Sequence, residues 1–364
     1  MKYNRMKEKR VTIHDIARAI GIAPSSVSKA LNDLSSVSDN TKTLVRAKAK
    51  ELNYKHNSSA ANLRRGSSRT IGVIVPKINV SFFSNAIAGI EENCFENNHR
   101  LIICQSDESY LKEVQAVETL IQQNVDCILI SLSQETKTTD HLTEITNHHI
   151  HLVQFDRVDP NFSSHTIVND NKTASYHAVK HLISQGYSRI AFFGGPEYLP
   201  VYKDRKEGYL QALREADLNI PYDYLLDNVL KTETAILKAN ELFLHKNPPE
   251  AFFTVSDHAA LGVLKASLAS GRKVPDDIGI IGFSNEDFTE VTSPTISSVE
   301  QQSKKMGKEA ANVYFNYILG SKQANKSSRF LNVVIESSVI SRESSVRKTI
   351  PKAEKKIKET SISS

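Results

Sequence analysis

Seven short runs of the chain are apolar at nearly every position, the pattern of β-strands that are buried on both faces. Between them, apolar residues recur every three or four positions, as on one side of an amphipathic helix. This alternation predicts repeated βα units, and hence open parallel sheets with helices on both faces. The predicted strands cover residues 71–76, 100–104, 125–132, 150–155, 189–194, 251–255 and 278–283. The predicted helices cover residues 83–98, 110–124, 171–185, 204–216, 232–246, 257–270 and 304–319.

After a charged terminus at residues 1–10, residues 12–53 have helical spacing. Thr12 suits the start of a helix, and Asp15, three residues later, favours the positive end of the helix dipole. Gly21 ends this helix after about two turns, and Pro24 suits the first turn of the next one. The side chains predicted to pack the first two helices are Ile13, Ile16, Ala17, Ile20, Val27, Ala30 and Leu31.

A third helix is predicted to begin at Ser38 or Asp39 and to end at Asn53, with Leu44, Val45, Ala49 and Leu52 packed inward. The second helix, residues 25–32, points short hydroxyls and a cation outward, which suits entry into a DNA major groove. Three helices with a tight glycine turn form a helix-turn-helix unit. The outward residues are Ser25, Ser26, Ser28, Lys29 and Asn32.

Charge along the chain strengthens this interpretation. Residues 1–69 hold 15 Lys and Arg against 5 Asp and Glu, whereas residues 70–341 hold 24 against 33. Residues 342–364 hold 7 against 3, and the whole chain carries +5. A basic head on an acidic body indicates that the head binds a polyanion while the body is repelled by it.

Four segments of the head, together with Gly21-Ile22-Ala23, closely resemble the lactose-repressor (LacI/GalR) family of bacterial regulators. They are residues 11–17, 27–32, 37–38 and 51–54, at the spacing typical of the family. The resemblance implies sequence-specific DNA binding by the head. It extends over residues 11–340 and leaves the two basic ends unmatched.

The resemblance also implies which head residues bind DNA. Leu63 matches the hinge leucine that wedges into a minor-groove base step, where unstacking is offset by backbone contacts of the bent duplex. Lys29 replaces the arginine common at its position, which weakens the inference of a bidentate guanine contact. A flexible linker with one incidental leucine is the plain alternative for the hinge. The expected DNA-binding residues are Thr12, His14, Pro24, Ser25, Ser26, Ser28, Lys29, Asn32, Asn57, Ala60, Leu63 and Arg64.

For the body, the resemblance implies a periplasmic-binding-protein-like domain of two α/β lobes. The chain is expected to cross between the lobes near residues 160, 290 and 325. The expected domains are a flexible terminus at 1–10, the helix-turn-helix at 11–56, a hinge helix and linker at 57–69, an effector-binding and dimerisation domain at 70–341, and a basic, disordered tail at 342–364.

Ligands of open α/β sheets bind beyond the carboxyl ends of the strands, so the residues that follow each strand are the candidates. Aromatic rings with arginines and carboxylates suit a sugar or another polyol. Ser284 stands where an aspartate is common in the family, and Leu199 stands where purine-binding relatives have arginine, which disfavours purine corepression. Each candidate also has a plain alternative as a loop residue or a structural ion pair. The expected effector-binding residues are Asn79, Phe82, Phe83, Asp107, Arg157, Arg205, Asp257 and Asn285.

Other functional classes find little support. The chain has no dinucleotide-binding, P-loop or Gly-x-Ser-x-Gly motif, so an enzyme is not expected. Ser256, Asp257 and His258 have the residue types of a catalytic triad, but neighbouring residues cannot easily form its chain of hydrogen bonds. Neither a cofactor, a metal site nor a membrane span is expected, and three widely spaced cysteines fit a reducing compartment.

The sequence therefore predicts a cytoplasmic, homodimeric DNA-binding regulator, expected to be a repressor, that binds a pseudo-palindromic operator under control of a small sugar-like effector. Two alternatives stay open: control by a phosphoprotein partner, and an architectural DNA-binding protein without a ligand. Whether the effector induces or corepresses is not determined by the sequence.

Overall fold

A computed structural model describes residues 11–32, 35–54, 67–219, 221–320 and 329–347. These residues form two compact units, one ending at Ser67 and one beginning at Ser68. We refer to them as the head and the body.

The head is the predicted bundle of three helices: α1 (Ile13–Ile20), α2 (Pro24–Leu31) and α3 (Asp39–Glu51). Gly21 closes α1 in the left-handed conformation with φ of 70°, which a glycine adopts without steric cost. The Oγ of Ser38 accepts a hydrogen bond from the backbone N–H of Thr41 and so caps α3. The core side chains include Ile16, Ala17, Val27, Ala30, Val45 and Ala49.

One core prediction in the head is wrong. Leu44 is 50% exposed, whereas its neighbour Val45 is fully buried. Since adjacent positions on a helix are about 100° apart, the stripe that packs against α1 and α2 can include Val45 and Ala49 but turns Leu44 toward solvent.

The body contains two lobes built on parallel sheets. Lobe 1 comprises the described residues between 68 and 169 and between 303 and 335. Its strand order is β11-β5-β4-β3-β1-β2. These strands are β1 (Thr70–Val75), β2 (Arg100–Gln105), β3 (Cys127–Ile130), β4 (His151–Phe155), β5 (His165–Asn169) and β11 (Asn332–Ile335).

In lobe 2, residues 170–302 and 337–347, the strand order is β7-β6-β8-β9. Read from its other edge, β9-β8-β6-β7 matches β4-β3-β1-β2 of lobe 1, so both lobes follow one plan. The strands are β6 (Ile190–Phe193), β7 (Leu225–Leu226), β8 (Ala251–Thr254) and β9 (Gly279–Ile281), with a separate antiparallel pair of β10 (Ser298–Glu300) and β12 (Ser338–Ile340).

Helices cover both faces of each sheet, as predicted. Those of lobe 1 are α4 (Ser81–Glu96), α5 (Tyr110–Gln122), α6 (Asp140–Asn147) and α11 (Ser303–Asn312), the last continued by a π-helical turn (Val313–Ile318). Those of lobe 2 are α7 (Asn171–Ser184), α8 (Pro200–Glu215), α9 (Thr232–Phe243) and α10 (Asp257–Ala269). Short 3-10 turns lie at Tyr222–Tyr224 and Asp287–Glu290.

The chain crosses between the lobes at about residues 170, 302 and 336, not near 160, 290 and 325 as expected. The crossings follow the ends of β5, β10 and β11, three strands that the apolar pattern does not predict and that pair with strands distant in sequence. The Asn169 side chain joins the crossings, because its Nδ2 donates to the carbonyl oxygens of Gln301 at 2.9 Å and Ile335 at 3.1 Å.

The predicted start of the disordered tail, residue 342, is too early in the chain. Residues 342–347 pack into lobe 2, where Ser344 and Ser345 are fully buried. The backbone of Ser344 accepts a hydrogen bond from Ile280 of β9, and its Oγ donates to the Ile280 carbonyl. Backbone pairing with a sheet strand therefore orders a segment whose charge alone suggested a solvated tail. Residues 348–364 lie outside the described residues.

Candidate functional site

The start of α1 is a capping box that leaves its residues at the surface. The Thr12 backbone N–H and hydroxyl both donate to the Asp15 carboxylate, at 2.9 and 2.8 Å. Thr12 and His14 are exposed. Both hydrogen bonds run from Thr12 to Asp15 and fix the first turn of α1, which begins after Thr12 as the sequence predicted.

The outer face of α2 carries the other described DNA-binding candidates. Ser25 and Lys29, four residues apart and therefore on one side of the helix, are both exposed. Asn32 donates from Nδ2 to the Ser28 carbonyl at 2.8 Å, which ties it to the end of the helix. The half-buried members of this face are Pro24, Ser26, Ser28 and Asn32. The hinge candidates Asn57, Ala60, Leu63 and Arg64 lie outside the described residues.

In the body, Arg157 follows β4 and reaches from lobe 1 to lobe 2. Its guanidinium donates to the Glu108 carboxylate at 2.7 Å and to the Tyr202 hydroxyl of α8 at 3.3 Å. It also lies 5.8 Å from the ring centres of Phe83 and Tyr202. The carboxyl ends of the two sheets therefore face each other across a cleft, with Arg157 between them.

Arg205 enters the same cleft from α8 of lobe 2. It donates to the Asn171 side-chain oxygen and the Val255 carbonyl, both at 2.9 Å. Its guanidinium stacks on Phe283, 3.6 Å from the ring centre, and lies 5.9 Å from that of Tyr202. The two predicted arginines thus share one aromatic neighbour.

The environments of the two arginines differ in charge. Burial opposes the charged form of Arg157, yet Tyr202, Glu108 and Asp156 outweigh it and raise its pKa above the ordinary value. For Arg205, burial dominates and lowers the pKa to about 10. The closest direct partner of Arg157 is therefore a carboxylate of lobe 1, whereas the direct hydrogen-bond partners of Arg205 in lobe 2 are neutral groups.

Asp257, at the start of α10, is 1% exposed and accepts two hydrogen bonds. The Ser298 hydroxyl donates at 2.6 Å and the Glu286 backbone N–H donates at 2.8 Å. Burial raises the pKa of Asp257 to about 7 despite these donors. The side chain of Asp257 therefore binds the loop after β9 through the Glu286 backbone.

Glu286 closes the cleft from the side of lobe 2. Its carboxylate accepts the backbone N–H groups of Ser81 at 3.2 Å and Phe82 at 3.5 Å, at the beginning of α4 in lobe 1. The positive end of a helix is a general anion-binding position. In this protein a carboxylate of the chain itself occupies it.

The other predicted effector residues are distributed around the cleft. Phe82 and Phe83 are buried and contact edge to face, with ring centres 5.1 Å apart. Asn285 accepts from Arg342 at 2.8 Å and donates to Glu300 at 2.9 Å. Asp107 and Asn79 are exposed.

Asp107 is bound to lysines of its own lobe. Lys77 and Lys112 donate to its carboxylate at 2.8 and 3.0 Å and lower its pKa to about 2. Its neighbour Glu108 is the residue that contacts Arg157.

The mouth of the cleft is a cavity of about 510 Å³ with an acidic lining. The Tyr198 hydroxyl of lobe 2 donates to the Gln134 carbonyl of lobe 1 across it. Lys206 pairs with two of the acids, Glu197 and Asp227. The lining residues are Glu108, Gln134, Glu135, Pro196, Glu197, Tyr198, Asp227 and Asn228.

Sequence reasoning missed Glu108 and Tyr202 as members of the site. Tyr202 lies three residues before Arg205 on α8, so its helical spacing could have placed it on the same face. Glu108 follows Asp107 directly, and nothing in the linear pattern distinguishes the two. Their roles depend on which side chain Arg157 meets across the cleft.

The residue types of a triad at Ser256, Asp257 and His258 do not form one. The Ser256 hydroxyl donates to the Leu230 carbonyl at 3.1 Å, and the His258 ring lies against Phe288 with ring centres 5.2 Å apart. Within the described residues, no group of three His, Cys, Asp or Glu side chains is arranged to hold a metal ion. None of the helices in the described ranges has the length and hydrophobicity that a bilayer span requires.

Comparisons with known proteins match both parts of the chain. Residues 12–57 match the profile of bacterial regulatory proteins of the lacI family, and residues 179–345 match a periplasmic binding protein-like domain. The chain is 31% identical over 309 residues to the HTH-type transcriptional repressor PurR of Vibrio campbellii. That alignment covers 84% of this chain and 92% of the relative.

Two solved structures are similar to most of the chain. The lac repressor dimer bound to operator and the anti-inducer ONPF has a TM-score of 0.80 at 20% identity, covering 93% of this chain and 100% of that one. A LacI family transcriptional regulator from Enterococcus faecium with bound ribose has a TM-score of 0.64 at 25% identity, covering 76% of this chain and 98% of that one. The first likeness shows the fold alone.

Proposed function

Since the chain belongs to the lacI family of bacterial regulatory proteins, we propose that it is a repressor whose operator affinity is controlled by a sugar or sugar derivative bound between the lobes. It is a DNA-binding transcriptional regulator with a periplasmic-binding-protein-like domain, and not an enzyme. The effector, its effect on DNA binding, the homodimer and a cytoplasmic location are parts of the proposal.

The exposed side of α2 supports the proposal for DNA. Ser25 and Lys29 present a hydroxyl and a cation without bulky neighbours between them, which suits contacts to phosphates and base edges. Two heads on a two-fold operator would multiply the affinity of each by linkage. The hinge residues Asn57, Ala60, Leu63 and Arg64 belong to this proposal through the family resemblance.

The observation that carries the effector proposal is the pair of buried arginines, one from each lobe, packed on aromatic rings at facing strand ends. Arg157 is 8% exposed and Arg205 is 4% exposed. Fixed guanidinium donors beside ring faces suit a ligand with hydroxyl acceptors and an apolar ring face. A ligand that replaces the contact between Arg157 and Tyr202 would change how the lobes are joined.

The charges of the cleft favour a neutral effector over a sugar acid or sugar phosphate. Glu286 already fills the anion position at the beginning of α4. Among the described residues, the lining of the mouth contains four carboxylates and no cation, although Lys206 pairs with two of the four and Arg157 with a third. This excess of acids in the lining disfavours the entry of an anion.

Two further observations support a sugar. A relative of the same fold, 25% identical, is described with bound ribose. Leu199 is 2% exposed in the core of lobe 2, so it offers no polar group where purine-binding relatives have arginine.

A thermal-shift screen tests the effector proposal, because a ligand that binds only the native state raises the unfolding midpoint. Neutral sugars, sugar acids and sugar phosphates of matched carbon skeleton are compared on wild type and on Arg205→Ala. We expect a neutral sugar to raise the wild-type midpoint and to leave the variant unchanged. A shift confined to acids or phosphates would contradict the assigned charge of the effector.

Control by a phosphoprotein partner is the second candidate, and one observation favours it. The cleft is joined by contacts of the chain itself, between Arg157 and Tyr202 and between Glu286 and α4, so its closure does not depend on a ligand. Pull-down from cell extract followed by direct titration separates this candidate from a sugar effector. An architectural DNA protein would show weak sequence preference and no thermal shift with any small molecule.

A further inference from the structure

One carboxylate accepts hydrogen bonds from both of the first two residues of the body. Asp126, directly before β3, accepts the backbone N–H of Ser68 at 2.7 Å, the hydroxyl of Ser68 at 3.1 Å and the backbone N–H of Arg69 at 2.8 Å. The ring Nε2 of His99 lies 3.8 Å from the same carboxylate. We call this arrangement the Asp126 clamp.

Lobe 2 contains a twin of the clamp at the matching place. Glu250, directly before β8, accepts the backbone N–H and the hydroxyl of Ser188, both at 3.0 Å, and the backbone N–H of Arg189 at 3.4 Å. In each lobe a Ser-Arg pair precedes the first strand, and the acid precedes the neighbouring strand. The clamp is therefore part of the plan that both lobes share.

The two clamps differ in what precedes them along the chain. Ser188 follows Tyr187, which is 1% exposed and donates from its hydroxyl to the Pro275 carbonyl at 2.7 Å, so lobe 2 holds this segment independently of Glu250. Ser68 is the first residue of the body unit and follows the predicted linker. Arg69 has a φ of 50°, a left-handed conformation that a non-glycine residue keeps only when its surroundings enforce it.

We propose that Asp126 is the positioning residue through which the body holds the base of the linker, and that tight operator binding depends on it. The clamp sets the direction in which the backbone leaves the body at Ser68. The Glu250 clamp stabilises its lobe and has no part in DNA binding.

This inference rests on the homodimer of the proposed function, and its physical reason is the effective concentration of each head at its half-site. A linker base held in one conformation restricts the positions that a head can take, and this raises its local concentration at the matching half-site. When the base of the linker is released, the head samples a larger volume, and its local concentration at the half-site falls. Contacts of one head with phosphates are unaffected, so non-specific binding is preserved.

The Glu250 clamp of lobe 2 serves as the matched control. Asp126→Ala and Glu250→Ala are compared for unfolding midpoint, for affinity toward a duplex that the wild-type protein selects from a random pool, and for affinity toward an unrelated duplex at the same salt concentration. We expect both variants to lower the midpoint. We expect Asp126→Ala alone to weaken binding of the selected duplex by about tenfold, with non-specific affinity unchanged.

Smaller changes keep the test informative where alanine disturbs folding. Ser68→Ala removes one of the three hydrogen bonds and Ser188→Ala removes its counterpart, so the first should weaken selected-duplex binding about threefold and the second should not. Hydrogen exchange at the Ser68 and Arg69 amides should rise in Asp126→Asn while exchange at Ser188 stays slow. The proposal would be overturned if Asp126→Ala and Glu250→Ala lost equal affinity for the selected duplex. It would also be overturned if Asp126→Ala kept the wild-type affinity.

Discussion

The two lobes of the body share one backbone plan and differ in the chemistry at their strand ends. Both have the same order of four strands, and both place a glycine at the ninth residue of the helix that follows the first strand, Gly89 in α4 and Gly208 in α8. Yet lobe 1 surrounds its cleft arginine with carboxylates, and lobe 2 uses neutral groups and a ring. Packing preserves the plan, while the loops after the strands are free to diverge in function.

The largest effect is expected from the buried acid of lobe 2. Asp257 has a pKa of about 7 in the folded protein and about 3.9 when unfolded, so the folded state binds its proton more tightly. The tighter binding of this proton contributes up to about 4 kcal/mol to the free energy of unfolding. The contribution is complete below about pH 4 and is lost as the pH rises to about 7.

The side-chain amide introduced by Asp257→Asn could accept from the Glu286 N–H and donate to the Ser298 hydroxyl, as the protonated acid does. Denaturant unfolding at several pH values from mildly acidic to mildly alkaline should therefore show wild type losing stability relative to the variant as the pH rises. Asp287→Asn, at an exposed acid nearby, serves as the control. Parallel curves for wild type and Asp257→Asn would mean that Asp257 ionises normally.

The shared glycine position predicts equal losses in the two lobes. A Cβ at Gly89 would overlap the Lys304 carbonyl oxygen, and one at Gly208 would overlap that of Lys172. Since backbone cannot move aside cheaply, each alanine variant should lose about 3 kcal/mol of unfolding free energy.

Urea unfolding measures both glycine variants against Gly320→Ala, where a Cβ meets no atom within 4 Å. If one glycine variant kept its unfolding free energy and the other lost it, the packing of α4 on α11 would differ from the packing of α8 on α7.

A moderate effect is expected for the arginine with neutral partners. Arg205→Ala leaves the Asn171 side-chain oxygen and the Val255 carbonyl without their donor, which should lower stability by about 2 kcal/mol. DNA affinity should stay near that of wild type, and the effector response should be lost. Titration with a ligand found by thermal shift checks this against Lys203→Ala, an exposed cation on the same helix. A normal response in Arg205→Ala would remove this residue from the effector site.

The smallest effect is expected in lobe 1 at Asp107. Its pKa of about 2 reflects two lysine partners, but the carboxylate is at the surface, where water and salt screen ion pairs. Asp107→Asn should change neither the unfolding midpoint nor the effector affinity measurably. A clear loss of effector affinity would place Asp107 in the site despite its exposure.

Strongly patterned elements of the fold are predictable from sequence. The seven apolar runs all contain strands, and all but β2, which lies at a sheet edge, are buried along nearly their whole length. The pattern misses β5 and β11 because their burial alternates, and it misses β7, β10 and β12 because they have only two or three residues. Short elements form through pairing partners distant in sequence, which a local pattern does not contain.

The candidate site is predictable only in part. Arg157, Arg205 and Phe83 follow from their positions beyond strand ends, and the structure brings them to one cleft. The sequence assigns no partner to Glu286, because its contact with the beginning of α4 joins residues more than 200 positions apart. Which polar groups meet across a cleft is decided by tertiary geometry rather than by local spacing.

The packing of residues 342–347 against β9 has a consequence for biosynthesis. Lobe 2 lacks part of its sheet edge until these residues have left the ribosome, and lobe 1 lacks α11 and β11 until shortly before. The three helices of the head, residues 13–51, pack on one another through side chains that are close in sequence, so they can form while translation continues. A nascent chain therefore carries a folded nucleic-acid-binding module well before its periplasmic-binding-protein-like domain is complete.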